Sequence, residues 1–314
     1  MNTLLLSVDF EDWHQLVRRR LDARDWQRTG PALDRQTHAL LALLDELGLR
    51  ATFFVLGMAA RSYPALVNEI AAAGHEIACH GDQHLLVHSQ TSADFAGDLR
   101  AARETIGQLT GVAPAGYRAP VFSINGASAR WAYRVLADEG FAYDSSQYDL
   151  PQVRGRVVPA SAGPHQLASA VNGTDVEAAM QAALSADPAA EQGTSTLWEF
   201  PLAVWRLGRL RIPVGGASYW SLLPTKGVLS ALDGAPEMAG LYLHPYEFDP
   251  QPLRALPDRD AGASLRARAS LREARYNGAR HRAPAMLRTI AKTHRLITFG
   301  EAYAQLSAGV DARS

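Results

Sequence analysis

The sequence predicts an α/β fold built on parallel strands. Short apolar runs of strand length alternate with longer segments in which apolar residues recur at helical spacing. This alternation is typical of β-α-β units, whose strands run parallel and are joined by right-handed crossovers. The chain has 314 residues, a length that suits one large α/β domain, and it shows no internal repeat and no linker. We therefore predict a single domain over residues 1–314.

The first half of the chain shows this rhythm most clearly. The helix with the best-defined ends follows Thr91, because Thr91 or Ser92 can cap its first turn and Gly111 can end it. The strands predicted in this half are Thr3–Asp9, Ala51–Leu56, Glu76–His80, Gly116–Pro120 and Phe141–Ser145. The predicted helices are Leu33–Gly48, Pro64–Gly74, Ser92–Thr110 and Ala127–Gly140.

The second half is less regular. Residues 153–193 are rich in Ala, Gly, Ser and Pro, and we interpret them as an irregular insertion. The Arg-rich segment Leu265–Arg282 predicts a pair of helix ends with solvated charges, rather than a site for an anion. The other elements predicted here are strands at Thr196–Pro201, Gly240–His244 and Leu296–Phe299, and helices at Tyr219–Leu232 and Gly300–Leu306.

Composition and charge exclude several classes of function. A formal net charge of -1 argues against a general nucleic-acid-binding protein, and one cysteine excludes an intramolecular disulfide framework. No apolar run is long enough to predict an integral membrane segment. The N-terminus has neither a basic region nor an apolar run long enough for a signal peptide, so we expect a cytoplasmic protein. The oligomeric state cannot be predicted from the sequence.

Two histidines follow the third predicted strand, and carboxylates follow the first. His80 and His84 would project from one face if a helix followed the strand, close enough to bind one metal ion. The carboxylates are those of Asp9, Glu11 and Asp12. Because the carboxyl ends of parallel strands lie at one rim of a sheet, the two clusters could meet there. A histidine pair with one carboxylate is a common zinc shell, but such a pair alone is more often a solvated or core pair.

Five segments of this chain occur in the order found in one enzyme family. They read SVDFED from Ser7, HGDQH from His80, GYRAP from Gly116, VGGASYWSLLP from Val214 and LYLHPYEFD from Leu241. Together they resemble polysaccharide deacetylases of the NodB-homology type (carbohydrate esterase family 4), especially those encoded with exopolysaccharide and O-antigen loci. The resemblance covers residues 3–305, which is nearly the whole chain.

The resemblance implies a distorted (β/α) barrel of the NodB-homology type, often with seven strands. It also implies one divalent metal, usually zinc, and the hydrolysis of N-acetyl groups of amino sugars. Carried over to this sequence, it implies metal ligands at His80 and His84, a catalytic base at Asp9, an arginine at Arg118 that holds this base, and a general acid at His244. Pro120 would shape the substrate loop beside the base, with the following backbone N–H as an oxyanion donor.

The first segment departs from the commoner family pattern. Many members have two adjacent Asp residues, the base and then a metal ligand, whereas Phe10 follows Asp9 here. Strand alternation would place Glu11 on the same face as Asp9, and a bulge would instead deliver Asp12. We slightly favour Asp12, because an Asp is the usual ligand in the family, and keep both candidates.

The aromatic residues Trp13 and Tyr219 are candidates for substrate binding, although core packing explains many such aromatics. The sequence thus suggests a zinc-dependent N-deacetylase for an amino sugar in a surface-polysaccharide precursor, lipid-linked or nucleotide-linked. Cobalt or nickel could replace zinc in such a site. The alternatives are another amide hydrolase on the same scaffold, allantoinase-like or deformylase-like, and a catalytically silent carbohydrate-binding protein.

Overall fold

The computed structural model describes residues 1–21, 26–124, 126–150, 163–167, 197–255 and 262–311. Its strands are β1 (Thr3–Phe10), β2 (Thr52–Val55), β3 (Glu76–Cys79), β4 (Gly116–Tyr117), β5 (Tyr143–Asp144), β6 (His165–Leu167), β7 (Leu197–Glu199), β8 (Trp205–Leu207), β9 (Leu210–Ile212), β10 (Ala239–Leu243) and β11 (Arg295–Ile297). Its α-helices are α1 (Trp13–Arg20), α2 (Leu33–Glu46), α3 (Gly57–Ser62), α4 (Pro64–Ala72), α5 (Ser92–Thr110), α6 (Gly126–Asp138), α7 (Thr225–Asp233), α8 (Ala263–Arg280), α9 (Ala283–Thr293) and α10 (Phe299–Asp311). Short 3-10 helices lie at Val87–Ser89, Pro120–Phe122, Ala217–Leu222 and Pro245–Phe248.

The main sheet curls into a distorted barrel. Its strands follow the order β10-β1-β2-β3-β4-β5-β7-β6, with β11 beside the start of β1, so the described residues contain nine strands of this sheet. All neighbours pair in parallel except β6, which runs antiparallel to β7. The chain after β7 returns to β10, where the Gly240 N–H donates to the Pro201 carbonyl at 2.9 Å and the Ala203 N–H to the Gly240 carbonyl at 2.9 Å. The segment after β7 therefore hydrogen-bonds to β10 and closes the curled sheet. The expected count of seven strands stays a prediction.

Side-chain alternation along β1 explains how the barrel is filled. Leu4, Leu6, Val8 and Phe10 point outward into the large core beneath the helices. Leu5 points inward, where it packs in a second cluster with the aromatic residues Phe54, Tyr143, Phe200 and Phe299. The next inward residues, Ser7 and Asp9, are polar and hydrogen-bond to Arg118. The interior is thus apolar at one end and polar at the carboxyl ends of the strands.

Most predicted elements are present, and the α/β fold with parallel strands is confirmed. The helix Ser92–Thr110 has the expected ends, since the Thr91 hydroxyl accepts from the Asp94 N–H at 3.1 Å and Gly111 has φ 75°. The predicted helix Tyr219–Leu232 is wrong in its extent. It is divided into a 3-10 helix and α7, because Pro224 stands between them and restricts the backbone of the preceding residue.

Three further findings differ from the sequence expectations. The Arg-rich segment is one continuous helix, α8, rather than a pair of helix ends. The short helices α1 and α3 lie where no helix was predicted. Of the predicted insertion at 153–193, only residues 163–167 are described, and they contain β6, so the rest of that prediction lies outside the described residues.

Among the described helices, none combines the length and the apolar character that crossing a lipid bilayer requires.

Candidate metal centre and active site

The carboxylate of Glu11 lies against three histidines at the end of β1. Its Oε2 is 3.0 Å from His84 Nε2 and 3.8 Å from His80 Nε2, and its Oε1 is 3.5 Å from His244 Nε2. Donor atoms of Glu11, His80 and His84 all lie within 4.8 Å of one another, and the three side chains are buried. The hypothesis that the two polar segments meet is therefore correct for the histidine pair and Glu11.

The histidine pair is brought together by a loop, not by the helix assumed from the sequence. Residues 80–84 are non-helical, and Gly81 and His84 have φ values of 81° and 54°. The carboxylate of Asp98 on α5 accepts the N–H groups of Asp82 and Gln83 at 2.8 and 3.2 Å. A positive φ is costly for a residue such as His84, so this backbone is held by its surroundings.

The carboxylate of Asp12, which we favoured as the metal ligand, makes hydrogen bonds outside the histidine pair. One Asp12 carboxylate oxygen accepts the His14 N–H at 2.8 Å and caps α1. The other accepts the Gly30 N–H at 2.7 Å and the Tyr63 hydroxyl at 2.8 Å. Because β1 continues without a bulge to Phe10, Glu11 follows the inward side of Asp9 and Asp12 turns away.

Asp9 is paired with a buried arginine. The Arg118 Nη1 donates to Asp9 Oδ1 at 2.7 Å and to Ser7 Oγ at 2.7 Å, while Nη2 donates to Ser145 Oγ at 2.9 Å. The guanidinium carbon lies 4.0 Å from the centroid of the Phe54 ring, and the side chain of Arg118 is 0% exposed. Strands β1 and β2 and the residues after β5 therefore fix the guanidinium, which fixes the Asp9 carboxylate in turn.

Ser7 and Ser145 are site residues that the sequence analysis missed. Each hydroxyl accepts from Arg118 and donates onward to a backbone carbonyl, Ser7 to Leu241 at 2.7 Å and Ser145 to Phe200 at 2.9 Å. Their inward position was readable, since Ser7 precedes Asp9 by two residues on the same face of the strand. Small hydroxyl residues at inward positions of a barrel strand are thus the signal that could have found them.

His244 follows β10 and completes the cluster. Its Nδ1 is 3.6 Å from Glu247 Oε2, and its ring stacks on Tyr246 with centroids 4.8 Å apart. Burial opposes the charged form of His244, but Glu247, Glu11 and Asp9 outweigh it and raise its pKa to about 9. The imidazole is therefore a proton donor at neutral pH in this arrangement.

The other titratable groups of the cluster suit a metal. Burial lowers the pKa of His80, so its ring is neutral at neutral pH, and its Nδ1 lies 2.8 Å from the Arg118 carbonyl. That contact leaves Nε2 as the lone-pair donor toward Glu11. Burial tends to raise the pKa of Glu11, but His84, His244 and His80 lower it to about 2. Two imidazoles and one ionised carboxylate are a donor set that fits zinc and related divalent ions.

These residues lie at one end of a cavity of about 660 Å³. Trp13 and Tyr219, both predicted to bind substrate, line it. Pro120 does not line it, but the next two residues, Val121 and Phe122, do. The catalytic candidates Asp9 and His244 line it together with Glu11, His80 and His84.

The turn after Pro120 has an unusual backbone. Val121 and Phe122 have φ values of 55° and 54°, although neither is glycine. The N–H groups of Phe122 and Ser123 are bonded to the carbonyls of Ala119 and Pro120, at 2.9 and 3.2 Å. Within the described part of the chain, the N–H of Val121 makes no hydrogen bond and is available to a ligand in the cavity.

Two family models match the chain. Residues 29–136 match a family described as polysaccharide deacetylase, and residues 171–303 match a domain of unknown function, DUF3473. The peptidoglycan deacetylase of Helicobacter pylori is 33% identical over 107 residues, which are 34% of this chain and 35% of that protein. The peptidoglycan-N-acetylglucosamine deacetylase of Bacillus cereus is 31% identical over 103 residues, 33% of this chain and 37% of that protein. The matched segment thus spans about a third of the length of these relatives.

Solved structures share the fold across nearly the whole chain. A Mycobacterium smegmatis protein, provisionally described as a polysaccharide deacetylase, has a TM-score of 0.60 at 19% identity and covers 98% of this chain and 91% of its own. Puue allantoinase has a TM-score of 0.52 at 15% identity, with 98% and 90% covered. The distorted (β/α) barrel expected from the five sequence segments is confirmed. The match to the polysaccharide deacetylase family lies within this fold, at residues 29–136.

Proposed function

We propose that the protein is a metal-dependent hydrolase that removes an N-acetyl group from an amino sugar of a surface-polysaccharide precursor. One observation carries this proposal: Glu11, His80 and His84 converge beside the Asp9–Arg118 pair and His244 at the end of one cavity. The names of the matched relatives support an N-acetylated sugar as substrate. The surface-polysaccharide precursor and the cytoplasmic address stay predictions from the sequence.

We assign the metal to Glu11, His80 and His84, with zinc as the first candidate. A divalent metal held there supplies Lewis-acid chemistry, which polarises a carbonyl group and makes water more acidic. Asp9 takes the proton of the attacking water as general base. Arg118 orients the Asp9 carboxylate through its 2.7 Å hydrogen bond.

The remaining steps use Val121 and His244. Negative charge develops on the acetyl oxygen as water attacks, and the free N–H of Val121 can donate to it. The amine of the sugar is a poor leaving group until it is protonated. His244 lines the cavity with its Nε2 3.5 Å from Glu11 Oε1, and it is placed to supply the proton that this step requires.

The experiment that tests this proposal is an acetate-release assay on metal-free protein, with and without added zinc. The substrates are chitooligosaccharides and nucleotide-linked N-acetyl sugars. We expect zinc-dependent acetate release with about one metal per chain. Failure to release acetate from any of these sugars, at saturating zinc, would contradict the proposal.

The same assay separates the two alternative functions. Another amide hydrolase on this scaffold would consume allantoin or a formamide and leave the acetyl sugars intact. A silent carbohydrate-binding protein would bind the sugars and the metal without any turnover. The complete set of Asp9, Arg118 and His244 favours the enzyme over the silent protein.

A further inference from the structure

The arginines of α8 fall into two kinds. Arg280 is 8% exposed, and its guanidinium donates to the carbonyls of Tyr246, Asp249 and Gln251, so it fixes the chain after His244. Arg275 is exposed and lines the cavity that contains the active-site cluster. Arg280 therefore has a structural role, whereas Arg275 is positioned to contact a molecule in the cavity.

Arg275 belongs to a basic part of the cavity wall, which we call the basic wall: Arg20, Arg275 and His281. Arg20 ends α1, and α8 packs beside it, since the Arg268 guanidinium donates to the Arg20 carbonyl at 3.3 Å. Arg275 follows Arg268 by seven residues, which is about two helical turns or roughly 10 Å on the same side of α8. Both Arg20 and Arg275 line the cavity.

Within the described part of the chain, no carboxylate pairs with the basic wall. Among the described residues that line the cavity, the acids are Asp9 and Glu11, and both belong to the active-site cluster. Neither Arg20 nor Arg275 forms an ion pair with a carboxylate of the described residues. His281 uses its Nδ1 on the Gly278 carbonyl at 2.7 Å, which leaves Nε2 toward a ligand.

Hydroxyl donors accompany these charges. Tyr219 lines the cavity, and burial raises the pKa of this tyrosine while the nearby Arg275 charge opposes the rise. Tyr276 also lines it, as do Ser218 and Ser221, whose hydroxyls donate to the Glu247 carboxylate and to the Ser218 carbonyl. Two guanidinium groups with neighbouring tyrosine hydroxyls form a recognition surface for an anion that has several acceptor oxygens.

We propose that the basic wall binds a phosphoryl group of the substrate, so that the acetylated sugar is presented as a phosphate or diphosphate ester. This inference rests on the proposed deacetylase function and specifies its substrate class. A neutral glycan would gain nothing from two guanidinium groups that have no carboxylate partner among the described residues, whereas a diphosphate offers charge and acceptor oxygens to both. The cavity volume of about 660 Å³ accommodates a sugar together with such a group.

The test compares charged and neutral substrates in matched variants. Acetate release is measured from UDP-N-acetylglucosamine, from a polyprenyl-diphosphate-linked N-acetylglucosamine in detergent, and from neutral chitotriose. The variants are R20Q/R275Q and the control R134Q, which removes a charge from an exposed arginine of α6 that does not line the cavity. Competition by inorganic pyrophosphate is measured on each protein.

For the phosphorylated substrates, we expect R20Q/R275Q to raise KM by about tenfold or more, as the loss of charge-assisted hydrogen bonds implies. Its kcat, its metal content and its activity on chitotriose should stay near those of the wild type, and R134Q should change nothing. The better of the two phosphorylated substrates identifies the nucleotide or the lipid as the source of the phosphoryl group. Either result supports the basic wall.

Two results would overturn the inference. One is equal efficiency on chitotriose and on both phosphorylated sugars, with no inhibition by pyrophosphate. The other is inhibition by a uronic-acid oligosaccharide that matches inhibition by pyrophosphate, since it would point to an anionic glycan. If no sugar releases acetate but wild-type protein binds pyrophosphate and R20Q/R275Q does not, the deacetylase proposal fails and the phosphoryl site is supported.

Discussion

Each end of the barrel holds a buried or partly buried glutamate, and the groups that surround the two carboxylates differ. At the amino ends of the strands, the carboxylate of Glu76 accepts from the Thr52 hydroxyl at 2.6 Å, the Tyr143 hydroxyl at 2.6 Å and the Gly300 N–H at 2.8 Å. At the carboxyl ends, Glu11 is faced by imidazole nitrogens, of which His84 Nε2 is 3.0 Å away. Hydrogen-bond donors fix the Glu76 carboxylate in a structural role. The imidazole nitrogens around Glu11 carry lone pairs instead, so that they and the carboxylate can bind a cation together.

Replacing Glu11 should have the largest effect. Glu11→Gln removes the ionised oxygen from the donor set, so metal affinity should fall by about 100-fold or more and deacetylation should be lost with it. Zinc content after dialysis against a chelator of known affinity measures this directly. A variant that keeps one tightly bound zinc per chain would show that Glu11 is not a ligand.

Asp9→Asn should separate catalysis from metal binding. The amide cannot take a proton from water, so kcat should fall by about 10²- to 10⁴-fold, the usual contribution of a general base. Zinc content should match that of the wild-type protein, because the Glu11 and histidine donors are unchanged. Turnover at the wild-type rate would remove Asp9 from the role of base.

Glu76→Gln should affect stability and leave the metal in place. The amide retains one acceptor oxygen but leaves one of the former donors without its partner, at a cost of about 1–3 kcal/mol in the free energy of unfolding. Urea denaturation of the zinc-loaded protein measures this loss, with zinc content as the control. Loss of metal in this variant would contradict the division between the two ends of the barrel.

A pH-dependent effect on stability is expected from the histidine that precedes Glu76. Burial, together with the charge of Arg50, lowers the pKa of His75 from 6.5 to about 4, and its Nδ1 accepts the Ala51 N–H at 3.2 Å. Because the unfolded chain binds this proton more readily, His75 contributes stability above about pH 6.5 that is lost as the pH falls toward 4. We expect a loss of about 1–3 kcal/mol over this range.

A variant isolates this contribution. In His75→Asn the side-chain oxygen can still accept from Ala51 but does not titrate. The difference in unfolding free energy between wild type and variant, measured by urea denaturation at pH 7 and pH 4.5, should therefore change with pH. A difference that is constant across this range would rule out the His75 contribution.

The sequence was enough to predict that the site residues meet at one rim of the sheet, because each stands at the end of a strand. It was not enough to predict which side chains contact each other there. Asp9, His80, Arg118 and His244 each stand at the end of a strand, so their meeting at one rim was predictable. The choice of Glu11 over Asp12 depended on the absence of a bulge, which long-range pairing of β1 with β2 and β10 decides. Such pairing cannot be read from the residues of one strand.

The sequence also did not predict the backbone conformation around His84 or the burial of the individual arginines of α8. From the sequence we assumed a helix after His80, whereas residues 80–84 form a loop. The positive φ of His84 is maintained by the tertiary contacts of this loop, among them those with Asp98. Helix α8 has too few apolar residues for their spacing to predict one long helix. Its contact with the rest of the protein relies on aromatic packing instead, such as that of Tyr276 against Trp13. A local pattern does not show which arginine of that helix is buried and which faces the cavity.

The layer of Phe54, Tyr143, Phe200 and Phe299 has a consequence for the departure of the products. These rings are buried and close the interior of the barrel on the side of Arg118 opposite the cavity. Within the described residues, this buried layer separates Arg118 from the amino ends of the strands. In the proposed reaction, neither the sugar nor acetate could cross the layer. Both products would therefore have to leave on the cavity side of Arg118.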